Sequence, residues 1–199
     1  MIIVCLDLEG VLTPEIWMTI ASATGIEGLS KTTRDEPDYD KLMNNRIQLL
    51  KQYKISLKEI SSIIKKMKPF MGGYQFLKWL RERSQVIVLT DSYIQFTKFL
   101  LKKLRYPTLF CHELIVDQDG MISDYKLRLN EMKKITIEKL KEMKFKVIAV
   151  GDSYNDIGML KTADIGILFR PPENVTQAYP EIINANTYEE LKKLLIPFF

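Results

Sequence analysis

Ile2-Ile3-Val4-Cys5-Leu6-Asp7-Leu8-Glu9-Gly10-Val11 is the stretch that decides how the chain folds. An apolar run without alternation leads into an acid, a second acid follows two positions later, and a glycine comes next. A strand with one wet face would alternate apolar and polar residues. An unbroken apolar run implies burial on both faces, as in a parallel sheet covered by helices. Asp7 then stands at the carboxyl end of such a strand, and Gly10 lets the backbone turn sharply beyond it.

Downstream the pattern recurs. Gln85 to Thr90 predicts a second buried strand that runs into Asp91, and Phe145 to Val150 a third that runs into Gly151-Asp152. Ile165 to Phe169 predicts another, and Thr108 to Cys111 a short one. Helical patterns lie between them: Phe76 to Arg83, Tyr93 to about Leu104, Asn130 to about Met143, a helix opened by Ser153 with Asp156 at capping-box spacing, and Tyr188 to Leu195. From Glu113 to Arg128, two strand-like runs flank Asp119-Gly120, a hairpin turn signal. Strands alternating with helices predict an α/β fold: a doubly wound, mostly parallel, Rossmann-like sheet, here with a β-hairpin. Between Glu15 and Lys68 the pattern is helical throughout, with a capping box at Ser56-Leu57-Lys58-Glu59. The expected organisation is therefore a core of residues 1–14 and 69–199 with a small inserted helical cap at 15–68.

A chain of 199 residues, 46% hydrophobic and 27% charged, is long enough to bury a full core without metal or disulfide staples. The net charge of +4 is spread over short lysine runs on polar helix faces, which argues against a nucleic-acid stripe while still favouring a phosphorylated ligand. Cys5 and Cys111 lie in apolar runs and read as buried free thiols, which fits the cytoplasm. No apolar run approaches the length of a membrane span. His112, the lone histidine, reads as structural, and Trp17 as core or as lining a substrate entrance.

In open parallel sheets, ligands bind beyond the carboxyl ends of the strands. Asp7, Thr90-Asp91 and Asp152 share that edge. Acids gathered there repel one another unless a cation sits among them, and oxygen ligands beside a phosphate favour Mg2+. Of Asp7 and Glu9, one can touch the metal and attack phosphorus, while the other can protonate a leaving oxygen and then activate water.

Asp7-Leu8-Glu9-Gly10-Val11, Leu89-Thr90-Asp91 and Gly151-Asp152-Ser153-Tyr154-Asn155-Asp156 together resemble the haloacid dehalogenase superfamily, nearly end to end. The helical insertion resembles that of the phosphoserine phosphatases. Pro14-Glu15-Ile16-Trp17 adds a likeness to the bifunctional phosphoserine phosphatase/homoserine phosphotransferase subgroup. The resemblance implies Asp7 as nucleophile, Glu9 as general acid and base, and Lys133 as the neutralising cation, with Lys134 its rival. It implies Asp7, Asp152 and the Glu9 carbonyl as Mg2+ ligands. Thr90 and Asp91 would hold the phosphate end of the substrate and Asn155 the phosphate or the metal shell, with Asp156 either a helix cap, a substrate contact or a metal contact. Glu15 would pair with the ammonium and Arg46 with the carboxylate of a small phosphorylated amino acid. A homodimer is expected on the same ground. The superfamily opening is usually Asp-x-Asp-Gly-Thr; here Glu9 and Val11 replace the second Asp and the Thr, and the longer Glu9 changes how water is aligned. The expected activity is phosphoserine hydrolysis, with transfer to homoserine as the alternative. A phospho-receiver domain is disfavoured by Glu9 and by the insertion, and a non-catalytic binding module by the full set of catalytic residue types.

Overall fold

The computed structural model describes residues 1–32, 35–36 and 38–199. Positions 33, 34 and 37, which fall in the expected helical stretch, lie outside the described residues. In chain order the elements are β1 (Ile2–Asp7), α1 (Ile16–Thr24), α2 (Tyr39–Gln52), α3 (Leu57–Lys66), α4 (Gly73–Arg81), β2 (Gln85–Tyr93), α5 (Ile94–Lys103), β3 (Thr108–Val116), β4 (Ile122–Lys126), α6 (Met132–Glu142), β5 (Lys146–Gly151), α7 (Ile157–Thr162), β6 (Ile165–Phe169), α8 (Glu173–Ala178), β7 (Ile183–Ala185) and α9 (Tyr188–Leu195).

The strands form one sheet in the order β4-β3-β2-β1-β5-β6-β7. Only the β3–β4 hairpin is antiparallel. The first strand is central, with Cys5 aligned to Ile87 on one side and Ala149 on the other. This explains its unbroken apolar run: Val4 and Leu6 enter the cluster under α4 and α9, while Ile3 and Cys5 enter the cluster under α6 and α7. The winding direction reverses at β1, so Asp7 lies at the switch point, where a crevice opens.

Several expected elements differ in extent. β2 continues past Thr90 to Tyr93, because its pairing with β3 shifts between Leu89 and Tyr93. That irregularity lifts Thr90, Asp91 and Ser92 out of the regular ladder and re-aims their side chains. The expected short strand at Thr108–Cys111 and the first arm of the hairpin are one strand, β3. The short α8 and β7 lie in a stretch too brief and mixed to show a period. Cys111 is half-buried rather than buried, since β3 lies near the sheet edge.

The inserted helices do not close on themselves. Ile16, Ile20, Met43, Leu50, Ile60 and Ile64 share one core with Tyr93, Phe96 and Leu100 of the β2–α5 segment and with Leu114 and Ile122 of the hairpin. Lys103 of α5 donates to the carbonyls of Lys65 and Met67, where α3 leaves its last acceptors open. Leu57 donates its amide to Gly120 at the hairpin turn, 2.9 Å away.

Behind the site, Tyr188 of α9 stacks on Phe76 and Phe169, and its hydroxyl donates to the Val11 carbonyl at 2.7 Å. The loop after β1 is thereby tied to the closing helix. Tyr188→Phe keeps the stacking and leaves a buried carbonyl without its donor. Urea unfolding is expected to show a loss of about 1–3 kcal/mol; an unchanged midpoint would show that the loop does not need this tie.

Candidate active site

The site begins with two glycines that clear space. Gly10 has φ +78°, and a Cβ there would lie 2.2 Å from the Asp152 carboxyl carbon. At Gly151 a Cβ would lie 2.4 Å from Asp156. The loop after β1 can therefore lie directly against the loop after β5, and carboxylate oxygens of Asp7, Asp152 and Asp156 fall within 4.8 Å of one another.

Lys133, from the first turn of α6, enters this group from below. Its ammonium lies 2.8 Å from Asp156, 3.1 Å from Asp7 and 3.2 Å from Asp91. Burial alone would push its proton off, but Asp156, Asp7 and Asp91 hold it well above the usual lysine range. Lys134, the rival, points outward to Glu131 at 3.7 Å. Asp156 is fully buried. One of its oxygens accepts from Lys133, and the other accepts the amides of Asp152 and Ser153, completing the capping box with Ser153. Both oxygens are thus spent on N–H donors, which makes Asp156 an organiser of Lys133 and of the loop more than a metal ligand.

Asp91 hangs from the irregular part of β2. Its Oδ2 accepts from Lys133 and from the Asn155 amide at 3.0 Å, and its Oδ1 faces His112 Nε2 at 3.8 Å. Burial would raise the Asp91 carboxyl, but Lys133, His112 and Asn155 hold it below the usual carboxylate range. Asp7 goes the other way. Burial first, then Asp156, Asp152 and Asp91, raise it well above its ordinary value despite Lys133. Four acids around one lysine leave a surplus of negative charge. Asp7 and Asp152 are oxygen donors of the kind that hold a hard dication, and such an ion would offset that surplus.

Glu9 lines the same cavity as Asp7 and Asp152 and is fixed by α1. Its carboxylate accepts the amide of Ile16, the first residue of α1, at 2.7 Å. Burial and the adjacent Glu15 push it up to about 8. At neutral pH its protonated form is abundant, as a general acid requires.

These groups open into a cavity of about 680 Å³. Every site residue expected from the sequence lines it except Asp156, which sits behind Lys133. Thr90 is buried at its floor, and its hydroxyl oxygen accepts the Ser92 amide at 3.2 Å. Glu15 and Arg46 stand in the wall built by the insertion. Arg46 is only 6% exposed, lies 4.6 Å over the Trp17 ring, and has an Nε with no hydrogen-bond partner among the described residues. Sequence reasoning missed Tyr39, Ser92 and His112 as cavity residues. His112 accepts the Arg128 amide on Nδ1, which leaves the proton on Nε2 facing Asp91. Its lone occurrence in the sequence was the only signal, and the β2–β3 pairing that brings it there is not written in the local pattern.

Comparisons with known proteins agree with this geometry. The family model for haloacid dehalogenase-like hydrolases matches residues 3–164. A phosphoserine phosphatase of Pseudomonas syringae pv. tomato is 46% identical over 194 residues, 98% of this chain and 82% of that protein. The phosphoserine phosphatase ThrH of Pseudomonas aeruginosa is 46% identical over 191 residues, 96% of this chain and 93% of that protein. A solved structure of a phospho-aspartyl intermediate analogue of phosphoserine phosphatase shares the fold, with a TM-score of 0.79 over 99% of this chain and 98% of that one at 20% identity.

A dication that relieved the carboxylate surplus would bind the folded chain and not the unfolded one. Titrating MgCl2 into metal-free protein is expected to raise the melting temperature, by the equivalent of about 2.7 kcal/mol at a hundredfold excess over Kd. Asp152→Asn is expected to abolish the rise. A rise that survives in Asp152→Asn would place the ion elsewhere.

Proposed function

We propose that this chain, which belongs to the haloacid dehalogenase-like hydrolase family, is a Mg2+-dependent phosphatase that releases phosphate from O-phosphoserine through an aspartyl-phosphate on Asp7. The observation that carries the reading is Asp7 itself. A buried carboxylate held by Lys133 and packed beside Asp152 faces a cavity whose far wall carries Arg46 and Glu15. The relatives named phosphoserine phosphatase, aligned over nearly the whole chain, support the same substrate.

In this reading an Asp7 oxygen attacks phosphorus while the bond to the seryl oxygen breaks. Glu9 gives its proton to that oxygen, so serine leaves neutral at the hydroxyl. Glu9, now a carboxylate, takes a proton from water as the water oxygen attacks phosphorus, and Asp7 is released with inorganic phosphate. Lys133 balances charge on Asp7 and on the phosphoryl oxygens throughout. Asp7, Asp152 and the Glu9 carbonyl would hold Mg2+, which when bound would supply further positive charge to the phosphoryl group. Thr90 keeps its hydroxyl proton for a phosphate oxygen, with Asp91 and Asn155 beside it. Glu15 takes the substrate ammonium and Arg46 its carboxylate. Residues 15–68 act as the cap that carries this amino-acid subsite. The same reading has the enzyme working in the cytoplasm. A second reading beside hydrolysis is homoserine as an alternative phosphoryl acceptor, which would enter the same cavity once serine has left.

Incubation with phosphoserine and Mg2+ is expected to release phosphate, and homoserine in the same tube is expected to yield a phosphorylated alcohol if transfer occurs. Asp7→Asn should lower kcat on the order of 10⁴-fold or more with the fold intact; activity within about tenfold of wild type would sink the covalent mechanism. Glu9→Gln should slow phosphoserine turnover about 10²–10⁴-fold. With p-nitrophenyl phosphate, whose leaving group needs no proton, the same variant should accumulate phospho-enzyme in rapid-quench measurements. Equal losses on both donors with no trapped intermediate would remove Glu9 from the acid/base role.

A further inference from the structure

The phosphoserine reading needs Arg46 at a set distance from Asp7, yet the contacts of Arg46 do not set it. Its Nη2 donates to the Lys31 carbonyl at 2.5 Å, its Nη1 approaches the Met43 sulfur at 3.6 Å, and its guanidinium lies over Trp17. All three partners belong to the same inserted segment as Arg46. They orient the guanidinium within the insertion, and of the three only Trp17 bears on where the insertion stands relative to β1, through the neighbouring Ile16 amide on Glu9 and its ring edge on Phe96. The rest of that position depends on how α2 is docked on the sheet.

Tyr39, Leu42 and Arg46 of α2 all line the cavity. Their spacing puts them on one helical stripe, with Tyr39 about 10 Å along the axis from Arg46. The Tyr39 hydroxyl lies 2.7 Å from the Tyr93 hydroxyl and 3.4 Å from the Asp91 carbonyl. Each phenol has one proton. The arrangement that uses both is Tyr93 donating to Tyr39 and Tyr39 donating to Asp91. Burial first, and for Tyr39 also the Asp91 charge, pushes Tyr39 up to about 12 and Tyr93 higher still, so both protons stay in place at neutral pH. The Asp91 side chain is in turn bonded to Lys133, and Lys133 to Asp7. The apolar core shared by the insertion and α5 attracts without direction, whereas a hydrogen bond fixes distance and angle.

We infer that Tyr39 is a positioning residue: by bonding the first turn of α2 to Tyr93 and to the Asp91 carbonyl, it sets the distance between the Arg46 subsite and the Asp7 nucleophile. This rests on the phosphoserine reading given above. Tyr39→Phe keeps the ring packed edge-on against Tyr125, and Tyr125 still bonds Asp40 on the same helix end, so the variant retains its fold.

The test is a double-mutant cycle on two substrates, with unfolding midpoints recorded for each variant. Tyr39→Phe is expected to raise the phosphoserine KM roughly 3–10-fold, the worth of a typical hydrogen bond. On p-nitrophenyl phosphate, which has no carboxylate for Arg46, kcat/KM should stay within about twofold. In the Arg46→Ala background Tyr39→Phe should add nothing further on phosphoserine, because residues that act through one another are not additive. Tyr93→Phe, which spares the bond to Asp91, should cost less than Tyr39→Phe. Equal losses on both substrates would mean a general structural role and overturn the inference. So would fully multiplicative losses in the double variant, which would mean that Tyr39 touches the substrate itself. A wild type that hydrolyses p-nitrophenyl phosphate but not phosphoserine overturns the substrate reading and this inference with it, whereas an active wild type with a neutral Tyr39→Phe overturns the positioning role alone.

Discussion

One ammonium holds the site together. Lys133 is buried among Asp7, Asp91 and Asp156 at 2.8–3.2 Å, and those acids come from β1, β2 and the loop after β5. Three segments far apart in sequence thus converge on one charge delivered by α6. Burying such a group costs several kcal/mol, and only close, well-made contacts offset it. The cost falls on fold stability and the return is geometric: an Asp7 carboxylate that has one orientation before any ligand arrives. Asp156 makes this possible, since one oxygen fixes Lys133 and the other fixes the loop that presents Asp152.

The insertion is part of the same machinery. Glu9 leaves β1 and accepts the first amide of α1, so its carboxylate is oriented by the element that also carries the cavity wall. The apolar core of α1, α2 and α3 runs on into α5 and the hairpin. Asp7 and Arg46 are therefore placed by two systems of contacts, a charged one under the sheet edge and a largely apolar one above it, joined through the polar bridge at Tyr39, Tyr93 and Asp91.

Much of this was legible in the sequence, for physical reasons. β1, β5 and β6 announce themselves because strands buried on both faces must be apolar throughout. The capping boxes at Ser56 and Ser153 are local and fold as written. Asp7, Asp152 and Lys133 stand where strand ends and a first helical turn put them. What the sequence hides is pairing at a distance. The shift between Leu89 and Tyr93 depends on β3, and it alone makes Asp91 a partner of His112. Tyr39 looks like any aromatic at the start of a helix until β2 is set beside it. α8 and β7 are too short for a period to emerge.

The central place of β1 has a consequence for how the protein is made. Cys5 pairs with Ile87 and Ala149, so the strand finds its first neighbour only after the inserted helices have been synthesised, and its second only much later still. Through that interval an entirely apolar segment has no lasting partner, and domains whose contacts span such separations fold slowly. The helices of residues 16–66 wait as well, since their core is completed only by α5 and by the hairpin.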